Sequence, residues 1–180
     1  GMWKKCNWFR SLFLPNAPLQ YTPQWLEINQ EQFLIRELEL GDIKELLAVQ
    51  RLTYDGQTPW TRSGFLSELY SRYTHLYLGV VHEEKVIGFM GVRLFLEDGH
   101  ITNIAIIPKF QGWGLGAFLL QEAEIFAKSH RCQTMSLEVR KSNSDAQRLY
   151  RRLGYVSRRV LPNYYNENNE DAIDMVKYLC

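Results

Sequence analysis

Two stretches of the chain carry groups capable of chemistry. The first is FQGWGLGAFLLQEAE, Phe110 to Glu124, where Gly112, Gly114 and Gly116 alternate ahead of an apolar run with helical period. A helix N-terminus offers unpaired N–H groups and the positive end of the peptide dipole, and glycines in front let a ligand reach the backbone. Together they make an anion site, above all for phosphate. The plainer reading is a tight turn packing a helix on a strand, and three alternating glycines favour the phosphate. The second stretch is TMSLEV, Thr134 to Val139, where Met135, Leu137 and Val139 point one way and Ser136 and Glu138 the other. A lone glutamate in mid-strand is more costly than one on a surface. Glu138 is therefore either edge-exposed or a candidate general base. Tyr150 shares a helix face with Ala146, Leu149 and Leu153, as a core tyrosine or as a phenol reaching out from an apolar face.

Several chemistries are excluded. No GK[ST] follows the glycines, so there is no Walker A loop. Gly112, Gly114 and Ala117 do satisfy G-x-G-x-x-A, with Glu138 downstream, as in a dinucleotide site. Against this, Pro108, Lys109, Phe110 and Gln111 separate the glycines from the preceding strand, so a nucleotide-cofactor enzyme is a minor alternative. His75, His82, His100 and His130 form no HExxH pair, and no metal site is expected. No Ser/His/Asp set is visible. Cys6, Cys132 and Cys180 lie far apart without a CxxC, which fits a reduced, cytoplasmic setting. The 180 residues carry 21 Lys+Arg against 20 Asp+Glu, so no basic field points to nucleic acid. No stretch is long enough to span a bilayer.

Periodicity gives the secondary structure around these residues. Gly1 ahead of Met2 reads as a remnant of an expression tag. Residues 1–32 read as a basic, aromatic arm, which could fold back on its own domain or lie on a membrane surface or partner, followed by a linker with Pro15, Pro18 and Pro23. The domain is placed at 33–180, with a strand FLIREL and then a helix over GDIKELLAVQRLTY. A second helix follows in TPWTRSGFLSELYSR, with Thr58 as cap and Pro59 at its first position. Residues 75–82, 85–96 and 100–107 read as a three-strand antiparallel meander. A helix runs from the glycines to about His130, and TMSLEV is a short strand. SNSDAQRLYRRLG is a helix with Ser144 and Gln147 spaced as a capping box and Gly154 at its C-terminal end. YVSRRVL and DAIDMVKYL close the chain as strands, with PNYYNENNE as a polar loop between them. The fold class is α+β with a mixed sheet.

NIAIIPKFQGWGLGAFLL resembles motif A of the GNAT acetyltransferase superfamily, Q/R-x-x-G-x-G/A, here Gln111, Gly114 and Gly116. The order of elements is also similar to that superfamily. LEVRKSNSDAQRLYRRLGY followed by NYYNENNEDAIDM resembles the ribosomal-protein-alanine N-acetyltransferase (RimI) group and related protein N-terminal acetyltransferases. The resemblance implies a GNAT fold: a mostly antiparallel sheet of six to seven strands flanked by about four helices. It implies acetyl-CoA as co-substrate, with no metal, held by Ile104, Ala105, Ile106, Gln111, Gly112, Trp113, Gly114, Leu115, Gly116, Ala117 and Asn143. Glu138 would be the base, Tyr150 the acid, and the Ile106 N–H an oxyanion donor. Trp60, Tyr164 and Tyr165 would line the acceptor site. The acceptor would be a protein or peptide N-terminus, a ribosomal protein among the candidates, for a monomer or weak homodimer. One departure is Gly112, where these enzymes usually carry Arg. Two alternatives stay open: a GNAT enzyme acetylating a small amine, and a coenzyme A-binding module without turnover.

Overall fold

The structure is a computed structural model that describes residues 20–54 and 59–179. The arm at 2–17, Thr58 and Cys180 lie outside the described residues. Eight strands form one sheet: β1 (Gln24–Ile28), β2 (Glu31–Glu37), β3 (His75–His82), β4 (Lys85–Phe95), β5 (Asp98–Ile106), β6 (Thr134–Arg140), β7 (Val156–Tyr165) and β8 (Glu170–Tyr178). Among the described residues four α-helices accompany them: α1 (Ile43–Thr53), α2 (Arg62–Leu69), α3 (Leu115–Ser129) and α4 (Ser144–Arg152). The strand order is β1-β2-β3-β4-β5-β6-β8-β7, and of these pairings only β5 with β6 is parallel. That pair needs a crossover, which α3 supplies.

Apolar residues sort the helices onto the two faces. Leu115, Leu119, Ala123 and Phe126 of α3 pack with Leu78, Met90, Ile101 and Met135. On the opposite face Ile43, Leu46 and Val49 of α1 and Phe65 of α2 pack with Tyr77, Phe89 and Ala105. The middle of β4 is accordingly buried as a continuous run, as expected for a strand covered on both faces.

The structure corrects the sequence reading in four places. The sheet has eight strands, because residues 24–28, read as linker, form β1 on the outer edge of β2. Its signal is weak: the strand is short and half-exposed, and the two-residue turn is Asn29–Gln30, both with positive φ, instead of the Asn-Gly that marks such hairpins. The second helix is capped by Thr61, whose hydroxyl accepts from the Gly64 N–H, so it starts at Arg62. The cap of α4 is Asn143, which accepts from the Ala146 N–H; Ser144 is already the first helical residue. Tyr164 and Tyr165 end β7 and do not sit in a polar loop. The antiparallel meander is as read, with β2 to β5 antiparallel neighbours in chain order, which removes the dinucleotide alternative.

Candidate active site

The site is made by a sheet that comes apart. β5 and β6 pair only at Asp98↔Thr134, Gly99↔Met135 and His100↔Ser136. Beyond His100 the two strands separate, while β5 keeps its pairing with β4 and β6 with β8. The divergence starts beside a bulge. Gly91 pairs with Asn103 and Val92 with Ile101, leaving Thr102 as an extra residue in β5. A bulge bends its strand and re-aims the residues beyond it.

Register decides which backbone groups line the opening. The Ile107 N–H donates to the Ile87 carbonyl, so in this antiparallel ladder the bonded residues alternate with Ile106 and Ile104. The N–H and C=O groups of Ile104 and Ile106 therefore face away from β4, into the gap, while Ala105 bonds β4 and buries its methyl under α1. The Gln111 side-chain amide donates to the Ile106 carbonyl at 2.8 Å. This fixes the glycine turn against the end of β5 and leaves the Ile106 N–H.

The glycine turn leads into α3. Gly112 and Gly114 have φ of +83° and +84°, and Gly114 is the N-cap. A side chain at either position would be strained, which gives a backbone reason for glycine at both. A Cβ placed at Gly112, Gly114 or Gly116 would meet nothing within 4 Å. The start of α3 is thus bare backbone facing open space, with no cap from a side chain at Gly114. Leu115 turns inward to the core. Trp113 lies edge-on against Phe33 and Phe110 at 5.9 and 5.1 Å between ring centroids, so it offers a ligand its backbone, and its ring is packing. The Asn143 carbonyl oxygen is engaged as the α4 cap, leaving its amide group exposed.

On the other wall, Glu138 points to the face opposite Met135, Leu137 and Val139, all buried. It is not edge-exposed. Its side chain is 22% accessible and its Oε2 lies 3.0 Å from His100 Nε2. Across β8 it faces Asp174, which is buried and held by Arg158 and Arg159. Tyr150 is almost wholly buried, and burial, with Tyr54 adding to it, pushes its phenol far above the ordinary tyrosine value. Tyr54 follows α1 on one face of the sheet and Tyr150 belongs to α4 packed on the other. Tyr165 lies under the Arg140 guanidinium, 3.9 Å from its ring centroid, and edge-on to Tyr164. Tyr164 is half-exposed, its phenol raised by burial and by Glu138 and Asp174. Trp60 stacks on Phe65, and its backbone is clasped in both directions by the Gln50 amide. Its observed role is packing at the entrance to α2.

Register thus sets the outward backbone of Ile104 and Ile106, with the glycine turn tied to it by Gln111, on one wall of the slot between β5 and β6 and Glu138 on the other; Tyr150 is buried on α4, Tyr164 and Tyr165 end β7, and Trp60 packs half-buried on Phe65. Hollows away from this slot are lined by Glu37, Leu40, Tyr70 and His75, and by Leu120, Glu124, Tyr155 and Lys177. Sequence reasoning missed His100, Asp98 and Arg140. Arg140 carried a signal, two residues after Glu138 and so on the same face. His100 carried none, because the register of β5 on β6 is not written in either strand. Among the described residues, no helix is long and apolar enough to cross a membrane.

Comparison with known proteins gives this geometry a family. The pattern of the Acetyltransferase (GNAT) family matches residues 7–155. The chain is 35% identical over 142 residues to a putative [ribosomal protein bS18]-alanine N-acetyltransferase of Bacillus subtilis, covering 78% of this chain and 92% of that protein. It is 32% identical over 149 residues to the [ribosomal protein bS18]-alanine N-acetyltransferase of Haemophilus influenzae, covering 81% and 99%. The crystal structure of the ribosomal-protein-S18-alanine N-acetyltransferase from Escherichia coli superposes with a TM-score of 0.71 at 28% identity, covering 81% of this chain and 93% of that one. A parted β5 and β6, a glycine turn opening a helix and a mid-strand glutamate therefore stand in a chain that belongs to the GNAT acetyltransferase family.

Proposed function

We propose that this acetyltransferase takes acetyl-CoA as donor and the α-amine of a protein N-terminus as acceptor, with direct transfer between the two. The observation that carries the reading is the gap between β5 and β6, with free backbone groups on one wall and Glu138 on the other. The fit to the donor rests on the bare start of α3: positive-φ glycines, open space where side chains would stand, and unpaired N–H groups suited to a pyrophosphate. When bound there, acetyl-CoA supplies an activated acetyl thioester. Gln111, Gly112, Gly114, Gly116 and Ala117 would hold its phosphates, the outward backbone of Ile104 and Ile106 its extended arm, and the exposed Asn143 amide a further polar contact.

The chain's own groups divide the remaining work. Glu138 takes a proton from the incoming ammonium, which titrates near neutrality, so a modest base suffices. The Ile106 N–H, held in place by β4 on one side and Gln111 on the other, is placed to stabilise negative charge on a carbonyl oxygen. Tyr150, kept protonated by burial, supplies a proton to the departing sulfur. Among the described residues there is no thiol suited to an acyl-enzyme: Cys132 is buried, and burial with Asp98 and Glu97 raises its thiol. Tyr164 and Tyr165 flank the acceptor's path. The relatives at 35% and 32% identity are named for alanine of ribosomal protein bS18, which makes a ribosomal-protein N-terminus beginning with alanine the first acceptor to test. Thiol release from acetyl-CoA against N-terminal peptides and small amines tests the reading. Turnover confined to small amines would replace it with a small-amine enzyme; acetyl-CoA binding without turnover on any amine would leave a binding module.

A further inference from the structure

A chain of hydrogen bonds runs inward from Glu138, and its directions can be assigned. The Asp98 carboxylate receives the Thr134 hydroxyl at 2.8 Å and the Ser136 hydroxyl at 2.5 Å. A carboxylate only accepts, so the single Ser136 proton is spent on Asp98. His100 Nδ1 lies 2.8 Å from the same Ser136 oxygen, and with the serine proton committed, Nδ1 must be the donor. The other ring nitrogen, Nε2, lies 3.0 Å from Glu138 Oε2. Two lone pairs do not face each other at that distance, so a proton belongs between them. Either His100 is an imidazolium beside a carboxylate, or Glu138 is protonated against a neutral ring.

The geometry points to Glu138 and His100 acting as one base, in which the proton that leaves the acceptor's ammonium nitrogen reaches the Glu138 carboxylate and is held on His100 Nε2. This rests on the reading of the slot as an N-terminal acetylation site. The observed 3.0 Å contact is that of the protonated pair; in the proton-free pair the contact opens, with Glu138 an anion and His100 a neutral ring. One proton arrives, the nitrogen keeps the electron pair it needs for attack, and the pair becomes imidazolium and carboxylate. The charge on His100 is balanced through Ser136 by Asp98. When product leaves, the proton returns to solvent and the pair is reset. His100 acts through Glu138 and is a positioning residue.

The surroundings support the direction of transfer. Burial disfavours the imidazolium, but the Glu138 hydrogen bond and charge, with Asp98, outweigh it, and His100 titrates above the ordinary imidazole value. Arg93, directly opposite on β4, works the other way and is itself paired with Glu68 of α2 at 3.4 Å. Asp174 faces Glu138 from β8 but is occupied by Arg158 and Arg159. A modest base suffices for an α-ammonium, and a pair whose proton rests on histidine is better matched to that task than a carboxylate alone.

The test is a nitrogen-15 NMR titration of the histidines in the full chain without ligand, with the His100 signal identified by its loss in His100→Asn. His100 is expected to carry a proton on Nδ1 throughout, to be doubly protonated up to a midpoint above that of free imidazole, and to shift that midpoint down in Glu138→Gln and in Ser136→Ala. Ser136→Ala empties no part of the slot, so it keeps the test open should His100→Asn not fold. A His100 midpoint unmoved by Glu138→Gln, or a neutral ring protonated on Nε2 alone, overturns the inference. In kinetics, His100→Asn is expected to lose about tenfold in kcat/KM, because the stronger base of the pair is gone and only part of that loss is felt in the transition state. Its acid limb should also move to lower pH, while acetyl-CoA binding is unchanged. An unmoved acid limb counts equally against it. A failure of N-terminal peptides as substrates would strike the proposed function and leave the titration result standing, so the two failures are distinguishable.

Discussion

Replacing Gly114 by alanine separates the fold from the ligand site. Gly114 has φ of +84° and open space around its Cβ position. Alanine there meets no neighbour, so the cost to the fold is conformational, about 1–2 kcal/mol for a left-handed non-glycine residue. For a domain of this size that is a fall in Tm of roughly 2–8 °C. The cost to binding is larger in kind, because the methyl stands where a phosphate must approach the backbone. A ligand at 100 times its Kd stabilises by about 2.7 kcal/mol, or roughly 5–11 °C, and Gly114→Ala is expected to lose that shift. Gly116 is the control. It lies in α3 without a positive φ, also with nothing within 4 Å, and the motif accepts alanine there. Gly116→Ala should raise the Tm of the free protein, by up to about 1 kcal/mol of helix propensity, and keep the acetyl-CoA shift. Thermal melts of the three proteins, alone and with acetyl-CoA, give both numbers. A Gly114→Ala protein that acetyl-CoA stabilises as well as the parent would refute the account of the glycine turn.

Glu138→Gln should lower turnover by about 100- to 10,000-fold with acetyl-CoA affinity held, and raising the pH should restore part of it as more acceptor becomes neutral; Tyr150→Phe should lose turnover without that rescue. Asn143→Ala removes the α4 cap and should cost about 1 kcal/mol, read as a lowered denaturant midpoint with unchanged slope. Asp42 accepts from Arg36 Nη1 and Nη2 at 2.8 and 3.0 Å and from the Glu39 N–H at 2.7 Å. Burial alone would raise its carboxyl, but these partners hold it below the ordinary 3.8. A depressed carboxyl stabilises above its unfolded value and loses that contribution as pH falls through the folded one. Asp42→Asn should therefore be less stable than the parent at neutral pH, with the gap closing as the pH drops below about 4 in equilibrium denaturation.

The helices and the meander were legible because their periods are strong. The run from Leu115 to Ala127 and the alternation around Glu138 each bury the face that the pattern indicates. What was not legible depends on partners distant in the chain. β1 is a strand because β2 is beside it, and its residues alone carry too little β signal. The splay cannot be read from β5 or β6 separately, since it is the absence of pairing beyond His100↔Ser136. The Asp98–Ser136–His100–Glu138 chain depends on that same register, so a histidine without any motif around it became part of the site. For Trp60, whose residue type left substrate contact and packing of the neighbouring helix both open, the structure shows the packing: its ring stacks on Phe65 and its backbone is held by Gln50.

N-terminal transfer driven by Glu138 can be put to a single competition. The protein is incubated with acetyl-CoA and a peptide carrying both a free N-terminal alanine and an internal lysine, and the acetyl group is then located by mass spectrometry. One acetyl is expected on the α-nitrogen, with release of one thiol per acetyl transferred and strong loss of both in Glu138→Gln. Acetyl on the lysine side chain with the N-terminus untouched, or N-terminal transfer that proceeds undiminished in Glu138→Gln, would contradict it.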